Sequence, residues 1–154
     1  MSKPLADQPY SYRADQTVPG FNDAGPVVVM DGSCALCTAT ARWIARRDWN
    51  GAFRIARAQG EVGGPLLRHY GLDPADPDSW LYIETGQVYT SLDAVLRIGA
   101  RLGGIGWLLQ PLRVLPTPAG HWLYRCVARN RYRVFGRTDM CAVPDPALRY
   151  RLID

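Results

Sequence analysis

Apolar and polar positions along this chain switch repeatedly between a two-residue and a 3.6-residue period. A continuous apolar run over 26–30, mostly valine, stops abruptly at Asp31-Gly32-Ser33, which is the mark of a buried strand. Helical spacing follows at once. It predicts a helix from Ser33 or Cys34 to about Arg47, with Leu36, Thr40, Trp43 and Ile44 on one face. Residues 53–58 read as a second strand, 65–70 as a short helix ended by Gly71, and 73–78 as a turn-rich loop. Residues 80–84 and 87–90 read as two strands hinged at Thr85-Gly86. Thr90 or Ser91 is placed to cap the next helix, which carries Leu92, Val95, Leu96, Gly99 and Leu102 on one face and breaks at Gly103-Gly104-Ile105-Gly106. A short helix over 107–115 is interrupted by Pro111. Thr117-Pro118 then opens a last strong helix, running to about Val134 and stopped by Gly136. The pattern puts Trp122, Leu123, Cys126, Val127 and Asn130 on one side of it. The order β-α-β-α-β-β-α followed by further helices predicts an α/β sandwich with a C-terminal helical addition.

Three segments follow from this reading: a loose leader over 1–25 without periodicity, a domain over 26–145, and a tail over 146–154. At 154 residues, 47% apolar and 21% charged, the chain suits one globular domain with a real core. The net charge is +4, and Lys3 is the only lysine. From Arg101 onward there are nine arginines against three aspartates. Such an excess favours an acidic partner, nucleic acid or a membrane surface, or else marks a solvated helix face. Arginines alternating with apolar positions favour the solvated face, and no nucleic-acid partner is expected. No stretch reaches about 18 apolar residues, so no membrane span is expected. The first residues lack the apolar core of a secretion signal, and a cytoplasmic location is the expectation. There, four cysteines point to redox or metal chemistry rather than to structural disulfides.

Cys34 and Cys37 carry that chemistry. They form a C-x-x-C pair where the first strand gives way to the first helix. Free N–H groups and the positive end of the helix dipole favour a negative sulfur at such a site, and the thiolate is the species that attacks a disulfide. Cys34 is the expected nucleophile, with a pKa below the ordinary thiol value, and Cys37 the thiol that resolves the mixed disulfide. A zinc half-site and an inert pair are the rival readings. Zinc would need Cys126, Cys141, His69 or His121, none of which has tight ligand spacing to the pair. Cys126 reads as a small core residue, and Cys141 sits in a loop before Pro144. Asp31 either exchanges a proton with Cys37 or accepts N–H bonds from the turn at Gly32 and Ser33. No glycine-rich nucleotide fingerprint is present, so no organic cofactor is implied.

The string Asp31-Gly32-Ser33-Cys34-Ala35-Leu36-Cys37 resembles the D-x-x-C-x-x-C motif of the DCC family of thiol–disulfide oxidoreductases. Residues 86–96, with Asp93-Ala94, and residues 127–136, followed by Cys141 and Pro144, resemble two further family segments. The resemblance covers about residues 26–145. It implies a thioredoxin-like fold and a redox dithiol of Cys34 and Cys37, with Asp31 as the third motif residue. It implies as partners a disulfide-bearing protein or small thiol, and an electron-donating dithiol. Leu92 stands where such proteins often carry a small polar residue. Unlike thioredoxin, the chain has no Trp before Cys34, no Pro between the cysteines and no Pro directly before the strand at Trp80. A non-catalytic binding domain on the same fold, using its arginine-rich C-terminal helix, is the remaining alternative.

Overall fold

The computed structural model describes residues 8–75, 77 and 79–153. Four short strands form its centre: β1 (Val27–Met30), β2 (Arg54–Arg57), β3 (Leu81–Glu84) and β4 (Gln87–Thr90). Their order in the sheet is β2-β1-β3-β4. β1 lies parallel to β2 and antiparallel to β3, and β3 and β4 form the expected hairpin. Thr85 and Gly86 both have positive φ, 49° and 77°. That is the two-residue turn whose twist matches the strands it joins.

Helix α1 (Ala35–Arg47) links the two parallel strands, α2 (Gly63–His69) lies between β2 and β3, and α3 (Ser91–Leu102) follows β4. Helices α4 (Thr117–Phe135) and α5 (Pro146–Arg151) come after the sheet. This is a thioredoxin-like α/β sandwich with extra C-terminal helices. The central strand β1 is buried along its whole length, which is why it reads as an unbroken valine run. Alternate residues feed two cores. Val28, Met30, Ile55 and Tyr82 join Ile44, Ile98 and Leu148 on one face. Val27, Val29, Leu81 and Ile83 join Leu66, Leu67 and Tyr12 on the other.

Both ends of the described chain are tied to this sandwich. Tyr12, in a 3₁₀ turn over Ser11–Ala14, is buried and donates its hydroxyl to Asp23 at 2.8 Å. The Ser11 hydroxyl lies 2.9 Å from His69 Nε2, and His69 Nδ1 lies 2.7 Å from Asp15. At the other end, Arg151 of α5 pairs with Asp48, the residue that caps α1, at 3.0 Å. The Ile153 N–H bonds to the Ile55 carbonyl at 3.1 Å.

Three expectations about faces and form need correction. The buried side of α1 runs through Cys37, Thr38, Ala41, Ile44 and Ala45, leaving Leu36, Thr40 and Trp43 only half-buried. The segment after α3 is not an interrupted α-helix over 107–115. It is 3₁₀ structure over Gly104–Val114, and it packs on α3 through glycine: a Cβ on Gly106 would lie 2.5 Å from the Gly99 carbonyl oxygen. In α4 the side that periodicity makes apolar is not the fully buried one, and of it Leu123 is half-buried. Trp122, Val127 and Asn130 are exposed, Cys126 is half-buried, and the fully buried positions are Gly120 and Arg131. The buried side of this helix carries a charge pair, Arg131 with Asp31.

Candidate active site

Asp31 closes β1, and the chain then turns through Gly32 and Ser33 into α1. Cys34 is the N-cap of α1, in an extended conformation, and its Sγ accepts the Cys37 N–H at 3.3 Å. Sulfur takes the place usually held by a capping serine or aspartate oxygen. Cys37 lies one turn further on. Both residues are thiols, hydrogen-bonded to each other. The Cys37 S–H and the N–H groups of Cys37 and Leu36 bring the Cys34 thiol down to about 6, against burial and the nearby Asp31 charge. The same S–H bond, burial and the Cys34 charge push Cys37 far up. One thiolate near neutral pH with a protonated neighbour is the state that attacks disulfides.

Asp31 gathers the hydrogen bonds of the site. Its Oδ1 accepts the Ser33 N–H at 2.9 Å, the Ser33 hydroxyl at 2.8 Å and the Gln59 amide at 3.0 Å. Its Oδ2 accepts from Arg131 at 3.2 Å and from the Tyr132 hydroxyl. Burial alone would raise its pKa, but these donors outweigh burial and hold it below the ordinary carboxylate range. The Gly32 N–H goes instead to Gln59 Oε1, at 3.0 Å. A carboxylate so well satisfied is a weak proton acceptor.

Neither sulfur is open to solvent. Cys34 is 0% and Cys37 1% exposed, because residues 136–140 cross the site like an added strand. The Ala35 N–H bonds to the Gly136 carbonyl at 3.2 Å, Thr138 N–H to Ser33 at 3.0 Å and Met140 N–H to Gly32 at 2.9 Å. Met140 anchors this strap in the core beside both cysteines. On its other side the pair meets a cavity of about 390 Å³, bounded by Leu36, Cys37, Trp80, Leu109, Leu123 and Val127. Only Cys37 of the two reaches it.

Trp80, Gln59, Arg131 and Tyr132 belong to this site, and pattern reading did not assign them there. Trp80 Nε1–H donates to Cys37 Sγ at 3.2 Å, and its backbone N–H donates to the Tyr124 hydroxyl at 2.9 Å. A signal for Arg131 did exist: it follows Tyr124 by seven residues, hence on the same side of α4, within a segment that resembled the DCC family. The other reactive residues stay apart. Cys126 is half-buried on α4, Cys141 is half-buried in a 3₁₀ turn, His121 is exposed and His69 bonds Asp15. Among the described residues no three His, Cys, Asp or Glu side chains converge to hold a metal ion.

Trp80→Phe keeps most of the ring and removes the donor to Cys37. The expected result is a roughly fivefold slower second step of exchange, about the value of one hydrogen bond to a developing charge. The sign follows from the Trp80 bond lowering the Cys37 pKa. Stopped-flow release of the second substrate thiol measures it, while alkylation of Cys34 should be unaltered.

A thioredoxin-like sandwich with a capping cysteine and a second thiol one turn into the helix defines the class of dithiol exchange proteins. Residues 28–137 match the sequence model described as DCC1-like thiol-disulfide oxidoreductase. The chain belongs to this family. It is 34% identical over 127 residues to the uncharacterized protein YuxK of Bacillus subtilis, covering 82% of this chain and 93% of that one. It is 33% identical over 120 residues to a DCC family protein of Arabidopsis thaliana named as chloroplastic, covering 77% of this chain and 70% of that one. No solved structure matches it.

Proposed function

We propose that the protein reduces disulfides, with Cys34 as nucleophile, Cys37 as resolving thiol and Asp31 as the positioning carboxylate of the turn. The observation that carries this reading is the Cys34 sulfur capping α1 and accepting the Cys37 N–H at 3.3 Å. The Cys34 thiolate attacks one sulfur of the substrate disulfide. That bond breaks, a mixed disulfide forms, and the departing thiolate takes up a proton. Cys37 then loses its proton and attacks Cys34 Sγ, closing the Cys34–Cys37 disulfide and releasing the second substrate thiol. Two electrons have passed to the substrate, and a partner dithiol or a small thiol restores the pair. A reducing compartment such as the cytoplasm suits that direction.

Trapping tests the assignment. Cys37→Ser, mixed with a small aromatic disulfide, should accumulate one adduct, and peptide mass spectrometry should place it on Cys34. Cys34→Ser should reduce the same disulfide no faster than buffer. An adduct confined to the Cys34→Ser protein would reverse the roles, and full activity in that protein would end the redox reading.

A further inference from the structure

The two elements on the far side of the apolar cavity are inside-out. The 3₁₀ segment turns Gly106 and Gln110 toward α3, where Gln110 donates to the carbonyls of Leu96 and Gly106 at 3.0 and 3.1 Å. Three of its apolar side chains point away: Trp107 is 62%, Leu108 75% and Val114 86% exposed. Helix α4 repeats the arrangement, burying Gly120 and Arg131 while Trp122 and Val134 are each 68% exposed. Single exposed apolar residues are ordinary, but a run of them on two adjacent elements marks a contact surface. The elements adjoin, since Leu109 and Leu112 of one and Leu123 and Val127 of the other bound the same cavity.

Charge says what the surface meets. From Ala94 to Thr138 the chain contains eight arginines and no aspartate or glutamate. Among the described residues, Arg113, Arg125, Arg129 and Arg133 pair with no carboxylate. On α4, Trp122, Arg129 and Arg133 fall on one stripe, seven and eleven residues apart. Exposed tryptophan and leucine interleaved with unpaired arginine is the chemistry of a helix lying in the headgroup layer of an anionic bilayer. No described helix is long and apolar enough to cross a membrane.

We propose that the 3₁₀ segment and the outer face of α4 dock this protein on anionic phospholipid bilayers. The surface was assigned from the sequence to solvated arginines; the outward tryptophan and leucine side chains argue otherwise.

Cosedimentation of the full chain with vesicles tests this without reference to redox activity. Vesicles of phosphatidylglycerol and phosphatidylcholine should bind at least about tenfold more protein than phosphatidylcholine alone. Salt at about 0.5 M should release much of it, and tryptophan emission should shift to the blue on binding. Trp107→Ser with Leu108→Ser should abolish binding, and Arg129→Gln with Arg133→Gln should remove the preference for anionic lipid. Unchanged melting temperatures would show these exposed positions spare the fold. Equal sedimentation with both vesicle types, or undiminished binding by the serine variant, would overturn the proposal. So would a stable dimer, measured by light scattering without lipid, that the serine variant dissolves, because the surface would then belong to a second copy of the chain.

Discussion

Replacing Arg131 with methionine should cost the fold about 3 kcal/mol at neutral pH, the low end of what a buried ion pair loses when one partner is removed. Arg131 and Asp31 are both buried, their side chains 8% and 2% exposed and 3.2 Å apart. Methionine fills similar space and offers no donor. The Asp31 charge would keep Ser33, Gln59 and Tyr132, which is why the low end applies. At 2–4 °C per kcal/mol for a chain of this size, the melting temperature should fall by roughly 6–12 °C. The sign of the pH dependence is a separate check. Asp31 is held below the ordinary carboxylate range in the folded protein. Its contribution is therefore present above the unfolded value, about 3.9, and is lost as pH falls through the folded one. Without Arg131 the folded value rises, and protonation relieves the orphaned charge. The gap between the two proteins should thus shrink in acid. Urea unfolding at several pH values measures it, and a loss below about 1 kcal/mol at neutral pH would show that the pair contributes little.

Gly136→Ala should uncover Cys34. Gly136 stops α4 at φ 83° and ψ −171°, a conformation that essentially only glycine adopts, at a cost of about 1–3 kcal/mol for other residues. Its carbonyl holds the Ala35 N–H, the first bond of the strap across Cys34. A Cβ at Gly136 would meet no atom within 4 Å, so the strain is conformational and is relieved when the strap lifts. A shift of about 1.4 kcal/mol toward the open form is tenfold in its population. Iodoacetamide should therefore label Cys34 about tenfold faster than in the parent protein, with a midpoint near pH 6 in both, since the bonds that set the thiolate lie inside α1. Cys126, on α4 and outside the strap, serves as an internal control. Equal labelling rates at Cys34 would mean that some other motion admits reagents to the site.

The strap also shows where pattern reading stops. A segment with no period of its own, Arg137-Thr138-Asp139-Met140, pairs through backbone hydrogen bonds with a turn about a hundred residues earlier. Nothing in the spacing of side chains records such a contact. Hence the sequence places Cys34 at a helix start and cannot say that it is covered. Arg131 is similar. Read along α4 it joins a run of solvated arginines, whereas in the fold it is buried against Asp31 from the sheet and the Ala128 carbonyl. The buried side of α4 runs through Gly120 and Arg131, roughly a quarter turn from the centre of the apolar stripe.

By itself the sequence determined what local chemistry can dictate. Valine repeats set the central strand, Thr85-Gly86 set the hairpin, and Asp31 through Cys37 set a dithiol at the amino end of a helix, because backbone preference and capping act over a few residues. The tertiary structure alone decided which cysteine borders the cavity, what shields the other, and which charge steadies the turn. Those outcomes depend on groups distant in sequence meeting where water is excluded, where a carboxylate from the sheet and an arginine from α4 satisfy each other's charge.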